Sequence, residues 1–192
     1  METVRAFIAV DLGDEIREKL DGLQRKLKKV HAHARWVKPR DMHLTLAFLG
    51  DLPVEKISPL KTALDEAFKG QKPFDLKAAG TGFFGRPNRP RVIWAGIADC
   101  PPLMELQRRA VEALHAAEVE FDNKPFSPHL TLARIKTPNH TESLLGKLEK
   151  AKTADLGRTC IDAAELIQSD LRPGGAEYTV LHRVPLLPSD TQ

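Results

Sequence analysis

The chain has 192 residues, 42% of them hydrophobic and 29% charged, with a formal net charge of +3. That composition describes a globular protein with a packed core, and no apolar run approaches the ~20 residues that a membrane-spanning helix needs. The two cysteines, Cys100 and Cys160, are too few for a disulfide framework and lack metal-ligand spacing. The short apolar run near Met1 is closed at once by acidic residues, unlike a secretory leader, so a cytoplasmic location is expected. A mildly positive net charge gives only weak attraction to nucleic acid, and local clusters matter more.

In chain order, Ala6-Phe7-Ile8-Ala9-Val10 reads as a strand, and Ile16, Leu20, Leu23 and Leu27 mark one face of a helix. His43-Leu44-Thr45-Leu46-Ala47 follows, and as a strand it sets His43 and Thr45 on one face and Leu44 and Leu46 on the other. A second helix is expected over Ile57, Leu60, Leu64, Ala67 and Phe68, then a strand at Phe74-Asp75-Leu76. Arg86, Arg89 and Arg91 come next, interleaved with Pro87 and Pro90, ahead of the strand-like Val92-Ile93-Trp94-Ala95-Gly96. Leu103, Leu106, Ala110, Ala113 and Leu114 predict a third helix. His129-Leu130-Thr131-Leu132-Ala133 then repeats the first pentapeptide letter for letter. Leu144, Leu145 and Leu148 predict a fourth helix, and Cys160-Ile161-Asp162 a further strand.

The two pentapeptides lie 86 residues apart, and the same interval carries Ala6–Val10 onto Val92–Gly96 and Phe74–Leu76 onto Cys160–Asp162. A period this long signals a duplicated lobe rather than a solenoid. The expected fold is α+β: two pseudo-symmetric lobes, each with antiparallel strands and two helices, around a central groove. No Gly/Ser linker or charge block divides the chain, so residues 1–192 are expected to form a single domain rather than two independent domains of about 90 residues, and a monomer is expected because the lobes already bury each other.

An imidazole with a pKa near ~6.5 can give or take a proton at neutral pH, and two of them can do both in one turnover. Displacement at a phosphodiester needs that combination, with one group activating the nucleophile and another protonating the leaving oxygen from the opposite side. Thr45 and Thr131 would hold the non-bridging oxygens between His43 and His129. Arg134, five residues after His129, falls on the opposite face of a regular strand, so it needs a bulge or the strand end to reach the phosphate. Its counterpart under the repeat is Phe48. A metal site built from His31, His33, His43 and His129 is the rival reading, but zinc spacing is absent and metal ligation leaves the threonines unexplained. His115, His140 and His182 have surface or core roles in this reading, and Lys38, Arg40 and Lys136 are read equally as solvated charge or as site residues.

With these residues in view, the chain resembles the two-histidine phosphoesterases, and among them the RNA 2',3'-cyclic phosphodiesterases, also called 2'-5' RNA ligases. The resemblance runs nearly end to end. It includes Arg5-Ala6-Phe7-Ile8-Ala9-Val10, Arg35-Trp36-Val37, the first motif followed by Phe48-Leu49-Gly50, and Pro90-Arg91-Val92-Ile93-Trp94. It continues through Pro125-Phe126-Ser127-Pro128 and the second motif to Arg134, then Ser169-Asp170-Leu171, Pro173-Gly174-Gly175-Ala176 and Tyr178. It implies a cofactor-free, metal-independent enzyme that opens the 2',3'-cyclic phosphate of RNA 3' ends or small nucleotides to a 2'-phosphate and can run 2'-5' ligation. It implies catalytic His43 and His129, with Thr45, Thr131 and Arg134 on the phosphate. His43 is expected as the proton donor to the departing 3' oxygen and His129 as the base, with the reverse order left open. Phe84 and Arg91 are candidate nucleobase or backbone contacts. Gly85 stands where the family often carries proline. The competing function is a non-catalytic nucleotide or RNA-end binding module using the same groove.

Overall fold

A computed structural model of the chain describes residues 2–137, 141–172 and 175–187, so His140, Pro173 and Gly174 lie outside the described residues. The elements are β1 (Thr3–Val10), α1 (Gly13–Lys28), β2 (Ala34–Trp36), a 3-10 turn (Pro39–Asp41), β3 (Leu44–Pro53), α2 (Val54–Phe68), β4 (Phe74–Arg86) and β5 (Arg89–Ile97). After these come α3 (Pro101–Ala116), β6 (His129–Ile135), α4 (Thr141–Lys150), β7 (Asp155–Ile161), β8 (Ala163–Arg172) and β9 (Gly175–Pro185). The four expected helices form where their apolar spacing placed them. α1 also carries acidic Asp14 and Glu15 in its first turn and basic Arg25, Lys26 and Lys28 in its last, which complements the helix dipole.

Two antiparallel sheets result, one in the order β3-β1-β8-β9 and the other β2-β6-β5-β4-β7. The first sheet packs α2 and α3, the second α1 and α4, so each lobe has two helices as expected. The lobes, however, are not the two halves of the sequence. α1 and β4 come from the first half and serve the second sheet, while α3 and β8 come from the second half and serve the first. Cutting the chain between the repeats would strip both sheets at once. One continuous hydrophobic cluster runs through the helices and the inner faces of both sheets. A small separate cluster of Phe7, Ala9 and Ile167 lies outside it.

Two details depart from the 86-residue bookkeeping. Phe74–Leu76 and the segment ending at Ile161 are not counterparts in separate lobes: Phe74 pairs with Ile161 and Asp75 with Cys160 in one sheet. In β1 and β5 the equivalence is one residue short of the motif period, since Ala9 pairs with Thr45 and Trp94 with Thr131. Core demand sets that register. A one-residue slip exchanges the faces of a strand, and this alignment buries Ile8 and Ile93 alike.

β4 also breaks its ladder between Ala78 and Thr81, where Gly80 takes φ +74° and donates its N–H to the Ala154 carbonyl at 2.8 Å. A Cβ at Gly80 would stand 2.6 Å from the Lys152 carbonyl oxygen. Gly80→Ala should therefore combine a strained backbone with a clash and destabilise the protein by about 1–3 kcal/mol. Thermal denaturation checks this, with a melting temperature lowered by several degrees as the expected result.

Candidate active site

The two motif strands carry the same irregularity. In β3 the pairing jumps from Ala9–Thr45 to Ile8–Ala47, which leaves Leu46 as an extra residue; in β6 it jumps from Trp94–Thr131 to Ile93–Ala133, which leaves Leu132 extra. Each bulge shifts the alternation by one, so Leu46 and Ala47, like Leu132 and Ala133, are buried in succession. The residue after each such pair then shares the face of the histidine and threonine. This brings Arg134 onto the His129/Thr131 face, the bulge its position required. Phe48 takes the same place beside His43 and Thr45, and it is paired directly with Phe7.

Each histidine is held by the carbonyl two residues earlier. Nδ1 of His43 donates to the Asp41 carbonyl at 3.1 Å, and Nδ1 of His129 to the Ser127 carbonyl at 2.7 Å. A carbonyl only accepts, so the proton of each neutral imidazole sits on Nδ1 and Nε2 is left with its lone pair for chemistry. Pro39 begins the tight turn that delivers the Asp41 carbonyl, and Pro128 precedes His129 in the other copy.

Beyond the shared motif the surroundings differ. The His43 ring stacks on Phe7, with centroids 4.4 Å apart and planes 20° apart, and Tyr178 meets it edge-on at 5.2 Å. Burial lowers the His43 pKa to about 4; the Asp41 carbonyl and the charges of Asp41 and Asp11 oppose that shift without overcoming it. His43 is therefore a neutral imidazole at pH 7 in the protein alone. His129 instead meets the edge of Phe84 at 4.8 Å, and Phe84 lies 5.5 Å from Trp94. Trp94 lies across Gly82, where a Cβ would come 2.3 Å from the indole ring, and its buried Nε1–H has no acceptor among the described residues.

Several groups show that the two sheets share this site. β3 and β6 run close to each other. Tyr178, on β9 of the first sheet and beside His43, has its hydroxyl pKa raised by burial and by Asp41, and lowered by Arg134 and Arg35 of the second sheet and by Arg5. The start of β9 also reaches Arg35: a Cβ on Gly175 would stand 3.9 Å from its guanidinium. Arg35 is directly opposite Arg134 in the β2–β6 pairing, and neither has an ion-pair partner among the described residues. Two like charges side by side on a sheet repel, and an anion bound between them relieves that repulsion.

Beyond Arg134 the second sheet ends in a cleft of about 700 Å³, lined by Arg86, Arg89, Arg91 and Lys136 among others. Gly85 at this hairpin has φ +111°, a backbone that proline, fixed near −65°, cannot adopt. Arg40, in contrast, sits beside Asp41 at the surface, and His182 bonds Asp65 through Nε2 at 2.8 Å. No three His, Cys, Asp or Glu side chains converge as a metal-ligand group among the described residues. No described helix is long and apolar enough to cross a membrane.

Residues 10–94 match the model of the LigT-like phosphoesterase family. The RNA 2',3'-cyclic phosphodiesterase of Methanothermobacter thermautotrophicus is 31% identical over 179 residues, spanning 92% of this chain and 95% of its relative. The chain belongs to the RNA 2',3'-cyclic phosphodiesterase family. TT0787 of Thermus thermophilus, a solved structure, superposes with a TM-score of 0.78 at 31% identity over 95% of this chain and 97% of the other. LigT of E. coli, solved with 3'-AMP, superposes at 0.77 and 28% identity over 96% and 99%.

Within this phosphodiesterase fold, Phe7, Tyr178, Phe48 and Arg35 lie beside the candidate residues His43 and Arg134, a placement that sequence patterning does not assign. Phe7 and Tyr178 reach His43 across strand pairings that a linear reading does not display. Phe48 is visible in the sequence as the repeat partner of Arg134, but its exposure of 47% is not.

The burial of His43 has a consequence for acid stability. Its folded pKa, about 4, lies below the unfolded value near 6.5, so between these pH values the unfolded chain binds the extra proton and acid favours unfolding. The stability of the native protein should fall relative to that of His43→Gln as pH drops from about 6.5 to 4, as measured by denaturant unfolding at each pH. Parallel curves for the two proteins would contradict the buried, neutral imidazole.

Proposed function

We propose that this chain is a cyclic phosphodiesterase that opens 2',3'-cyclic phosphate ends of RNA to 2'-phosphates, with His43 and His129 as its acid/base pair. The observation that carries the reading is the paired arrangement of His, Thr and bulge on β3 and β6, neighbouring strands of the two sheets, each imidazole fixed in the same tautomer. In a cyclic phosphate both ester oxygens belong to one ribose. Water attacks phosphorus in line with the 3' oxygen, that bond breaks, and the phosphate stays on the 2' oxygen. His129 takes the proton of the attacking water, and His43 supplies the proton that turns the departing 3' oxygen into a hydroxyl. Thr45 and Thr131 hold the non-bridging oxygens, and Arg134 with Arg35 meets the charge that builds on them.

His43 is neutral in the protein alone, so it can act as donor only after the anionic phosphodiester raises its pKa. Binding of a cyclic phosphonate analogue, a monoanion across this range, should therefore take up protons near pH 7. Calorimetry in buffers of different ionisation enthalpy reads that uptake. Binding without it would contradict His43 as the proton donor.

Replacing water by the 5'-hydroxyl of a second strand turns the same displacement into 2'-5' ligation. Every proton transfer and every charge in this scheme has a protein group assigned to it, so the scheme uses no metal. The Arg86, Arg89, Arg91 and Lys136 cleft offers a path for the phosphates upstream of the reacting end, and half-exposed Phe48 and the Phe84 wall offer aromatic surfaces for bases. We read the enzyme as a cytoplasmic monomer.

The deciding experiment uses an oligoribonucleotide ending in a 2',3'-cyclic phosphate, in the presence of a chelator. The expected product is the 2'-phosphate isomer. His43→Ala and His129→Ala should each lower turnover by about 10²–10⁴-fold while remaining folded. A 3'-phosphate product, or full activity in either variant, would contradict the mechanism. Arg86→Ala with Arg89→Ala should weaken oligonucleotide binding and lower the slope of log affinity against log salt by up to roughly 0.7 per charge removed, while barely changing turnover of a cyclic mononucleotide.

A further inference from the structure

We propose that Gln24 is a positioning residue for this reaction: its buried side-chain amide fixes the bulge in β6 that turns Arg134 into the groove. The proposal rests on the reading of Arg134 as a phosphate contact. Gln24 lies on the apolar face of α1 among Leu20, Leu23 and Leu27, and it is 0% exposed. An aliphatic side chain is the default at such a position, because burying an amide is unfavourable unless its hydrogen bonds are made.

Here they are made, and their partners lie at the site. The amide Nε2 donates to the Leu132 carbonyl at 3.0 Å and to the Val37 carbonyl at 2.7 Å, which uses both of its protons, while Oε1 accepts from Lys28 Nζ at 3.2 Å. Leu132 is the extra residue of the β6 bulge. Its carbonyl accepts a second hydrogen bond, from the Val37 N–H, at 3.0 Å. Val37 in turn runs through Lys38 into the turn whose Asp41 carbonyl holds His43. One buried amide from the first half of the chain thus ties the bulge between Thr131 and Arg134 to the segment that leads into His43.

The repeat supplies an internal comparison. The residue of α3 that matches Gln24 under the 86-residue interval is Ala110, equally buried and without a side-chain donor. The bulge on that side, at Leu46, presents Phe48 rather than a charge. The amide brace accompanies the bulge that has to aim a guanidinium. Without it, closing the extra residue back into the ladder would return Arg134 to the face opposite His129.

The test is a double-mutant cycle on kcat/KM for a cyclic-phosphate substrate, with Gln24→Met, Arg134→Met and the pair. Gln24→Met alone should lower kcat/KM by roughly ten- to hundredfold, the scale of a small misplacement of a positioning group. In the Arg134→Met background the same change should cost less than about threefold, since the group it positions is gone. An equal loss in both backgrounds, which a merely structural role would give, overturns the proposal, as does no loss in the single variant. Gln24→Glu keeps the size and the Lys28 partner while losing both donated hydrogen bonds, and it provides the same cycle if the methionine variant does not fold. Read also as affinity for a nucleoside 2'-phosphate, the cycle decides the role of Gln24 even if the native chain turns over no cyclic phosphate, which would instead overturn the proposed function.

Discussion

The site depends on the extra residue in each motif strand. Regular alternation puts a histidine and a threonine two residues on along one face and sends the residue five positions after the histidine to the other. Leu46 and Leu132 interrupt that alternation at the same point in the two copies, so Phe48 and Arg134 rejoin the face of their histidine. The apolar leucines and alanines around each bulge remain in the core, which keeps the irregularity in register. Fold and site therefore draw on one constraint: the inner face must be filled by leucine, and the outer face is free to carry chemistry.

Two identical pentapeptides are placed in unlike surroundings, the difference that the proposed mechanism uses to give one motif two roles. His43 is enclosed by Phe7 and Tyr178 and loses its proton easily, while His129 stands against the edge of Phe84. One wall ends in an aromatic ring, the other in adjacent guanidiniums with no counter-charge among the described residues. The repeated motif gives the same bulged geometry on β3 and on β6. The flanking residues differ, which is the asymmetry that the proposed directional proton transfer needs.

All four helices and six of the nine described strands could be read from hydrophobic spacing, because that spacing reflects burial of one face in each element; β2, β8 and β9 could not. His43, Thr45, His129 and Thr131 could be read because the pentapeptide repeats, and the need for a bulge before Arg134 followed from counting faces. What escaped the sequence is non-local. The exchange of α1 and α3 between lobes leaves no periodic trace, since either sheet satisfies the same apolar stripe. The one-residue offset between β1 and β5 is decided by which isoleucine fills the core. Phe7, Tyr178 and Arg35 reach the site through pairings set by strand order. Gln24 reads in the sequence only as a polar interruption of a helix face, and its two carbonyl partners come from distant segments.

The proposed chemistry requires that one ligand in one groove engage both imidazoles. Nitrogen-15 NMR of histidine-labelled protein, titrated with a nucleoside 2'-phosphate, tests it directly. The Nε2 resonances of His43 and His129 should both shift, along a single saturation curve at one ligand per chain. A shift confined to one ring, or two rings saturating with different affinities, would show that the histidines do not face a common phosphate.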